Sequence, residues 1–193
     1  GMVAITGPGA EHRDLAALVR ARPGRIAVGV PSTTARAVVE MLRRAAGLDL
    51  ADVPYTGSGQ ALTGVLRGDV LLVVDTLAAA LGAIRGGQVR ALGVSLARRS
   101  ESLPDLPTFT EQGVAVQADA WNACFAPRGT PREIVQALNA ASNAALADAA
   151  LRASVVNAGA EPMGGTPDDL AALIRADRAK WEPIIRGLGL TAG

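Results

Sequence analysis

The chain of 193 residues holds a single cysteine, a single histidine and, among nineteen basic residues, a single lysine, Lys180. A lone Cys124 excludes an internal disulfide and, with no metal-ligating neighbour in "WNACFAP", offers no metal site; flanked by apolar residues, it is expected to be a small buried hydrophobe. A lone His12, in the polar stretch "GAEHRDL", leaves no base for a nucleophilic serine, so catalysis is not expected. Aromatic residues make up 3% of the chain, too few for a base-stacking surface, and the net charge of +1 carries no long run of one sign. Nucleic acid is therefore not an expected partner. No apolar run reaches the roughly 20 residues of a membrane-spanning helix, because "VLLVVDTLAAAL" is interrupted by Asp75. Gly1-Met2 leads into "VAIT" without a basic segment or a cleavage site, so no signal peptide is read here.

What the chain does have is a 49% hydrophobic composition, ample for a buried core, and a regular alternation of strand-length and helix-length patterns. "MVAIT" (Met2 to Thr6) and "RIAVGV" (Arg25 to Val30) read as strands around a helix from Glu11 to Ala21, which the signal "RPG" at Arg22 to Gly24 ends. A helix is predicted from Thr34 to Ala46, with Ala37, Val38, Met41, Leu42 and Ala45 on its apolar face and Gly47 ending it. The strands "DVPYT", "VLLVVDT" and "VRALGVS" follow, separated by helices from Gly59 to Leu66 and from Leu77 to Ile84. Such alternation predicts βαβ units and a mainly parallel sheet. Beyond Ser95 the texture changes to a Pro-containing connection with a short helix at Thr108 to Gln112, then an extended strand in "AWNACFAPRGTP". Helices are predicted at Pro131 to Ala147 and Ala149 to Ala158. A last helix opens with Thr166 as N-cap, Pro167 in the first position and two acidic residues against the dipole. These helices have scarcely any strand to cover, so their apolar face needs a surface supplied from elsewhere.

Ligands of open parallel sheets bind where strand ends lead into helix starts. Three such loops are present: "VPSTTA", "YTGSGQ" and "VDTLAA". Each combines a hydroxyl with free backbone amides at a helix N-terminus, a setting that favours a carboxylate. A Ser or Thr there is most often only a helix cap, and the three loops carry weight together rather than singly. Asp75 reads equally well as a ligand-orienting carboxylate or as a cap of the Leu77 helix. "TGSG" lacks the lysine of a phosphate-binding G-x-x-x-x-G-K-[ST] loop, and G-x-G-x-x-G is absent.

The ordered series "LADVPYTGSGQALTGVLRGDVLLVVDTLAAALGAIRGGQVRALGVSLARRSESLPDLPTFTEQGV", "FAPRGTPREIVQALNAASNAAL" and "GAEPMGGTPDDLAALIRADRAKWEPIIRGLGL" resembles the TctC or Bug family, the substrate-binding proteins of tripartite tricarboxylate transporters, from about Leu15 to Leu190. The resemblance implies an α/β, type II periplasmic-binding-protein-like lobe with a mainly parallel sheet, followed by C-terminal helices. Residues 7–118 would form the second, ligand-binding lobe; 1–6 and 119–193 would be crossing strands and helices of a first lobe whose N-terminal part has no counterpart here. It further implies a non-enzymatic periplasmic receptor that takes no cofactor, captures a small carboxylate and passes it to membrane transporter components. By position, Ser32, Thr33, Thr34, Tyr55, Thr56, Gly57, Asp75 and Thr76 become the ligand-binding residues. The loop "VGVPSTTAR" is shorter and poorer in glycine than the family's, and Thr56 and Thr76 stand where Lys and Asn are frequent. A second reading is a truncated, degenerate relative, a ligand-sensing or interaction module that assembles with itself through the exposed C-terminal helices.

Overall fold

The computed structural model describes residues 1–22 and 24–189, and the chain divides into two units, Gly1–Ala120 and Trp121–Gly193. In the first unit the alternating patterns become β1 (Met2–Thr6), α1 (Leu15–Ala21), β2 (Ile26–Val30), α2 (Thr33–Ala46), β3 (Leu50–Pro54), α3 (Ser58–Arg67), β4 (Leu72–Thr76), α4 (Leu77–Arg85) and β5 (Arg90–Val94), then a 3₁₀ turn at Thr110–Gln112. The sheet order is β3-β2-β4-β1-β5. β2 pairs in parallel with β3 and β4, while β1 is antiparallel to both β4 and β5, so all strands but β1 run one way.

Burial follows the order of the strands. β4, the central strand, is buried from Leu72 through Asp75, whereas β3 at the edge is only half-buried along most of its length. α3 and α4 cover one face, closing over Val3, Ile5 and Val73 with Ala61, Val65 and Leu77. α2 lies along β2, β3 and β4. Its buried residues are Ala35, Ala37, Val38, Val39, Leu42 and Ala46; of the expected face Ala37, Val38 and Leu42 are buried, while Met41 is half-buried and Ala45 is exposed. Gly47 ends α2 in the left-handed region, at φ 63°, which a residue without Cβ adopts at little cost.

The differences in boundary have local causes. α1 begins at Leu15, four residues after the expected Glu11, because Asp14 caps it by accepting from Ala17 N and Gln112 Oε1, from the far end of the unit, accepts from Leu15 N and Ala16 N. His12 therefore precedes the helix. Of the stop signal after α1, Arg22 takes a positive φ of 42°; Pro23 lies outside the described residues, as does Leu190. β3 starts at Leu50 rather than Asp52, since its ladder is in register with Ile26–Val30, and it ends at Pro54, which has no N–H to give. β1 pairs with β4 and β5, and the boundary between the two units falls after Ala120.

The second unit contains α5 (Arg132–Ala147), α6 (Ala149–Asn157) and α7 (Pro167–Gly187). The expected strand in "AWNACFAPRGTP" forms no ladder, because the described residues of this unit include no strand with which to pair. Cys124 is exposed rather than buried for the same reason. Pro131 is the N-cap of α5, not its first residue. α7 opens as predicted, with Pro167 in its first turn and a reciprocal Thr166–Asp169 capping box. None of the three helices has a buried residue, and Phe125, Leu138 and Met163 are exposed. The unit is tied by side chains: Asn139 and Asn143 donate to Gly165 O and the Trp121 indole donates to Asp177.

Candidate functional site

β2, β3 and β4 end at one edge of the sheet, and α2, α3 and α4 start there. From β2 the chain goes outward to β3, then crosses back over β2 to β4, so the strand order reverses between β2 and β4; such a reversal opens a crevice between neighbouring loops. The antiparallel β1 starts at this same edge, with Met2 opposite Thr76.

Ser32 caps α2, its Oγ accepting from Ala35 N at 3.1 Å, and Thr33 and Thr34 are exposed in the first turn. Thr76 caps α4 by accepting from Ala79 N at 3.3 Å. α3 differs. Its N-cap is Gly57, in extended conformation at φ 174°, and no side chain takes the amides of its first turn. Asp75, 5% exposed, accepts from Thr76 N at 2.7 Å through Oδ1; Thr76, not Asp75, is the cap of the Leu77 helix. The edge thus brings together Ser32, Thr33, Thr34, Thr56, Gly57, Asp75 and Thr76.

Tyr55 takes another course. Its N–H donates to Val30 O at 3.2 Å, while its ring lies over Gly29 and its hydroxyl reaches Gly64, in the second turn of α3. A Cβ on Gly64 would stand 2.2 Å from Tyr55 Oη, and one on Gly29 3.1 Å from its Cε2. The ring fills the space these glycines leave and borders a shallow groove of about 270 Å³ with Gln60, Thr63, Arg67 and Asp69. The sequence pattern carried no sign of this inward turn, since the two glycines lie in different elements.

Positive charge is scarce at the edge. Residues 32–34, 55–59 and 75–76 include no lysine or arginine, and Arg36, in the first turns of α2, is bound to Asp52 at 3.2 Å. An anion here would be held by backbone amides and hydroxyls, chiefly at the uncapped start of α3. Among the described residues no group of three or more His, Cys, Asp or Glu is placed to hold a metal ion. A larger cavity of about 530 Å³, lined by Pro8, Ile84, Arg90, Leu103 and Asp105 among others, lies at the opposite edge, where β1 ends and β5 begins.

Two further residues, beyond β1 and β5 at this end of the sheet, escaped the sequence pattern. Ser95, fully buried, accepts from Met2 N at 2.9 Å through Oγ and donates from the same hydroxyl to Ala118 O. Its backbone N–H bonds Met2 O at 2.8 Å and its carbonyl accepts from Ala118 N at 2.9 Å. The next residue, Asp119, has a buried Oδ1 with no hydrogen-bond partner. Nothing local in "VQADAW" marks it; only the long-range pairing through Ser95 does.

Residues 2–190 match the model of the tripartite tricarboxylate transporter family receptor, TctC, and the chain belongs to that family, one of transporter receptors and not of enzymes. It is 32% identical to protein BugT of Bordetella pertussis over 97% of its own length and 60% of the relative's. Against a Pseudomonas knackmussii protein from a clcB-clcD intergenic region it is 32% identical over 79% of its length and 92% of the relative's. Among solved structures it is similar to an R. palustris protein with adipate, with 31% identity and a TM-score of 0.86 over 97% of this chain and 65% of that one. MatC from Rhodopseudomonas palustris, with bound malate, gives 30% identity and a TM-score of 0.74 over 95% of this chain and 66% of that one. The chain therefore spans about two thirds or less of BugT and of both solved relatives.

Proposed function

We propose that the first unit is the ligand-binding lobe of an extracytoplasmic solute-binding protein, located in the periplasm, that captures a small carboxylate for a tripartite tricarboxylate-type transporter. The observation that carries this reading is the open N-terminus of α3 at a sheet edge where two further helices begin. Amides that no side chain takes are suited to a carboxylate, and the surrounding hydroxyls of Thr33, Thr34 and Thr56 can add hydrogen bonds. Adipate and malate on two relatives support the same class of ligand. The reading assigns no covalent step, because no nucleophile and base stand together at the edge. Isothermal titration calorimetry of the chain against a panel of di- and tricarboxylates tests it. Binding of at least one acid is expected, and a flat response across the panel removes the proposal.

A second reading is favoured by one observation, the absence of any buried residue in α5, α6 and α7. On this reading the exposed apolar side chains of the second unit join two copies. Light scattering coupled to size exclusion decides it: a mass of twice 19.6 kDa is expected from self-assembly, and a monomer mass at all concentrations rejects it.

A further inference from the structure

Of the three helices that begin at this edge, two are fixed there by their own side chains, Ser32 Oγ accepting from Ala35 N and Thr76 Oγ1 from Ala79 N. α3 has no such bond. Its first turn is not anchored in the core either: Ser58 is half-buried, Gly59 and Gln60 are exposed, and Ala61 is the first buried residue. A helix start with neither a cap nor a packed first turn frays unless something else orients it.

Tyr55 stands where it can do so. Its N–H donates to Val30 O at 3.2 Å, which ties it to the end of β2, and the chain enters α3 through Gly57 two residues later. The ring lies between Gly29 of β2 and Gly64 of α3; a Cβ on Gly29 would stand 3.1 Å from Cε2 and one on Gly64 2.7 Å from Cζ. Glycine on both sides is what admits the ring. Enclosed in this way, the ring keys the second turn of α3 to β2, and the stiffness of the helix carries that fix over the roughly 9 Å back to Ser58. A side-chain cap would have oriented the helix by occupying its amides. The ring orients it and leaves them open.

We propose that Tyr55 is a positioning residue for solute binding: wedged between Gly29 and Gly64, it aims the uncapped amides of α3 and does not itself touch the solute. The inference rests on the carboxylate reading above, and it replaces the contact role that the resemblance implies for Tyr55. Affinity at this edge is then governed by packing one to two helical turns behind the amides that hold the anion.

Calorimetric titration with succinate, malate, adipate and citrate, well below the unfolding midpoint, reads the affinity of the folded chain, and the acid that binds most tightly is carried through the variants. Tyr55→Phe is expected to bind it within about twofold of the unchanged chain, because the ring still fills the wedge. Tyr55→Ala is expected to bind it about tenfold or more weakly, because the amides lose their aim. A residue that only stabilised the fold would lower the midpoint and leave the affinity of the folded form as it was. Unchanged affinity in Tyr55→Ala, or an equal loss in Tyr55→Phe and Tyr55→Ala, overturns the inference and leaves the carboxylate reading standing. Failure of all four acids to bind the unchanged chain overturns both. If Tyr55→Ala does not fold, Gly64→Ala takes its place by pressing on the ring from α3: a loss of about fivefold or more is expected, and unchanged affinity overturns the inference.

Discussion

A methyl group placed on Gly64 meets Tyr55 Oη at 2.2 Å and Cζ at 2.7 Å, while one on Gly59, in the same helix, meets nothing within 4 Å. The tyrosine ring is confined on its other side by Gly29, so it has little room to yield. Gly64→Ala is therefore expected to destabilise the first unit by about 1–3 kcal/mol, as overpacking does, whereas Gly59→Ala is expected to be neutral or to stabilise by up to about 1 kcal/mol through helix propensity. Denaturant midpoints of the two variants check the contrast; equal effects would show that the ring moves freely. Three carboxyls titrate below their ordinary range. Burial pushes Glu40 up, but Arg44 and Arg43 outweigh it and hold it low. The Thr108 backbone N–H, aided by Arg99, lowers Glu111, and the Thr166 backbone and hydroxyl lower Asp169. Each group thus holds a proton less tightly when folded, so its contribution is present at neutral pH and is lost as pH falls below the ordinary value, 4.5 for the two glutamates and 3.8 for Asp169, and on through the lowered folded value. Glu111→Gln is expected to flatten the acid limb of a pH–stability curve, and an unchanged acid limb would remove Glu111 from the account. At this scale the hydroxyl residues at the helix starts were legible in the sequence, because capping is a local preference. Asp119 and the inward turn of Tyr55 were not, because each is created by a neighbour tens of residues away.

Among the elements of the first unit, α3 combines a well-packed body with an unsealed entrance. Asp in place of Gly57, whose φ of 174° any residue can adopt, would seal it by accepting from the first-turn amides. Gly57→Asp is expected to leave the unfolding free energy unchanged or to raise it by a few tenths of a kcal/mol, yet to weaken carboxylate binding by a factor of ten or more. Stability and affinity moving in opposite directions is the signature to look for; unaltered affinity would mean that α3 does not hold the anion. The alternation of strand and helix was readable because the apolar periods differ, two in one and 3.6 in the other. Helix beginnings were less so: α1 starts where Gln112 reaches it from nearly a hundred residues away. The edge strand β3 is similarly closed from a distance, by Arg43, whose Nε and Nη2 both donate to Leu50 O. This occupies an outward carbonyl that an exposed edge would otherwise offer to another chain.

For the molecule as a whole, the two units differ in what holds them. The first has a continuous buried core on both faces of its sheet, while the helices of the second have no buried residue. Backbone amides open at a cost set by such burial. Hydrogen exchange is accordingly expected to be slowest in β1 and β4 and faster by orders of magnitude in α5, α6 and α7; equal protection in both units would mean that something covers those helices in solution. That imbalance was visible in the sequence as helices without strands to cover. Where the boundary falls, and the inclusion of β1 in the first unit, depended on strand pairing that periodicity does not encode.

The distribution of chromophores follows the same boundary. Tyr55, wedged against Gly29 and Gly64, is the chain's one tyrosine, and both tryptophans, Trp121 and Trp181, belong to the second unit. Indole emission, excited selectively, reports on the second unit alone, and the ring resonances of Tyr55 report on the first. One unlabelled sample therefore carries a separate optical or magnetic signal for each half, and a melt followed by both would reveal whether the halves unfold in one step or in two.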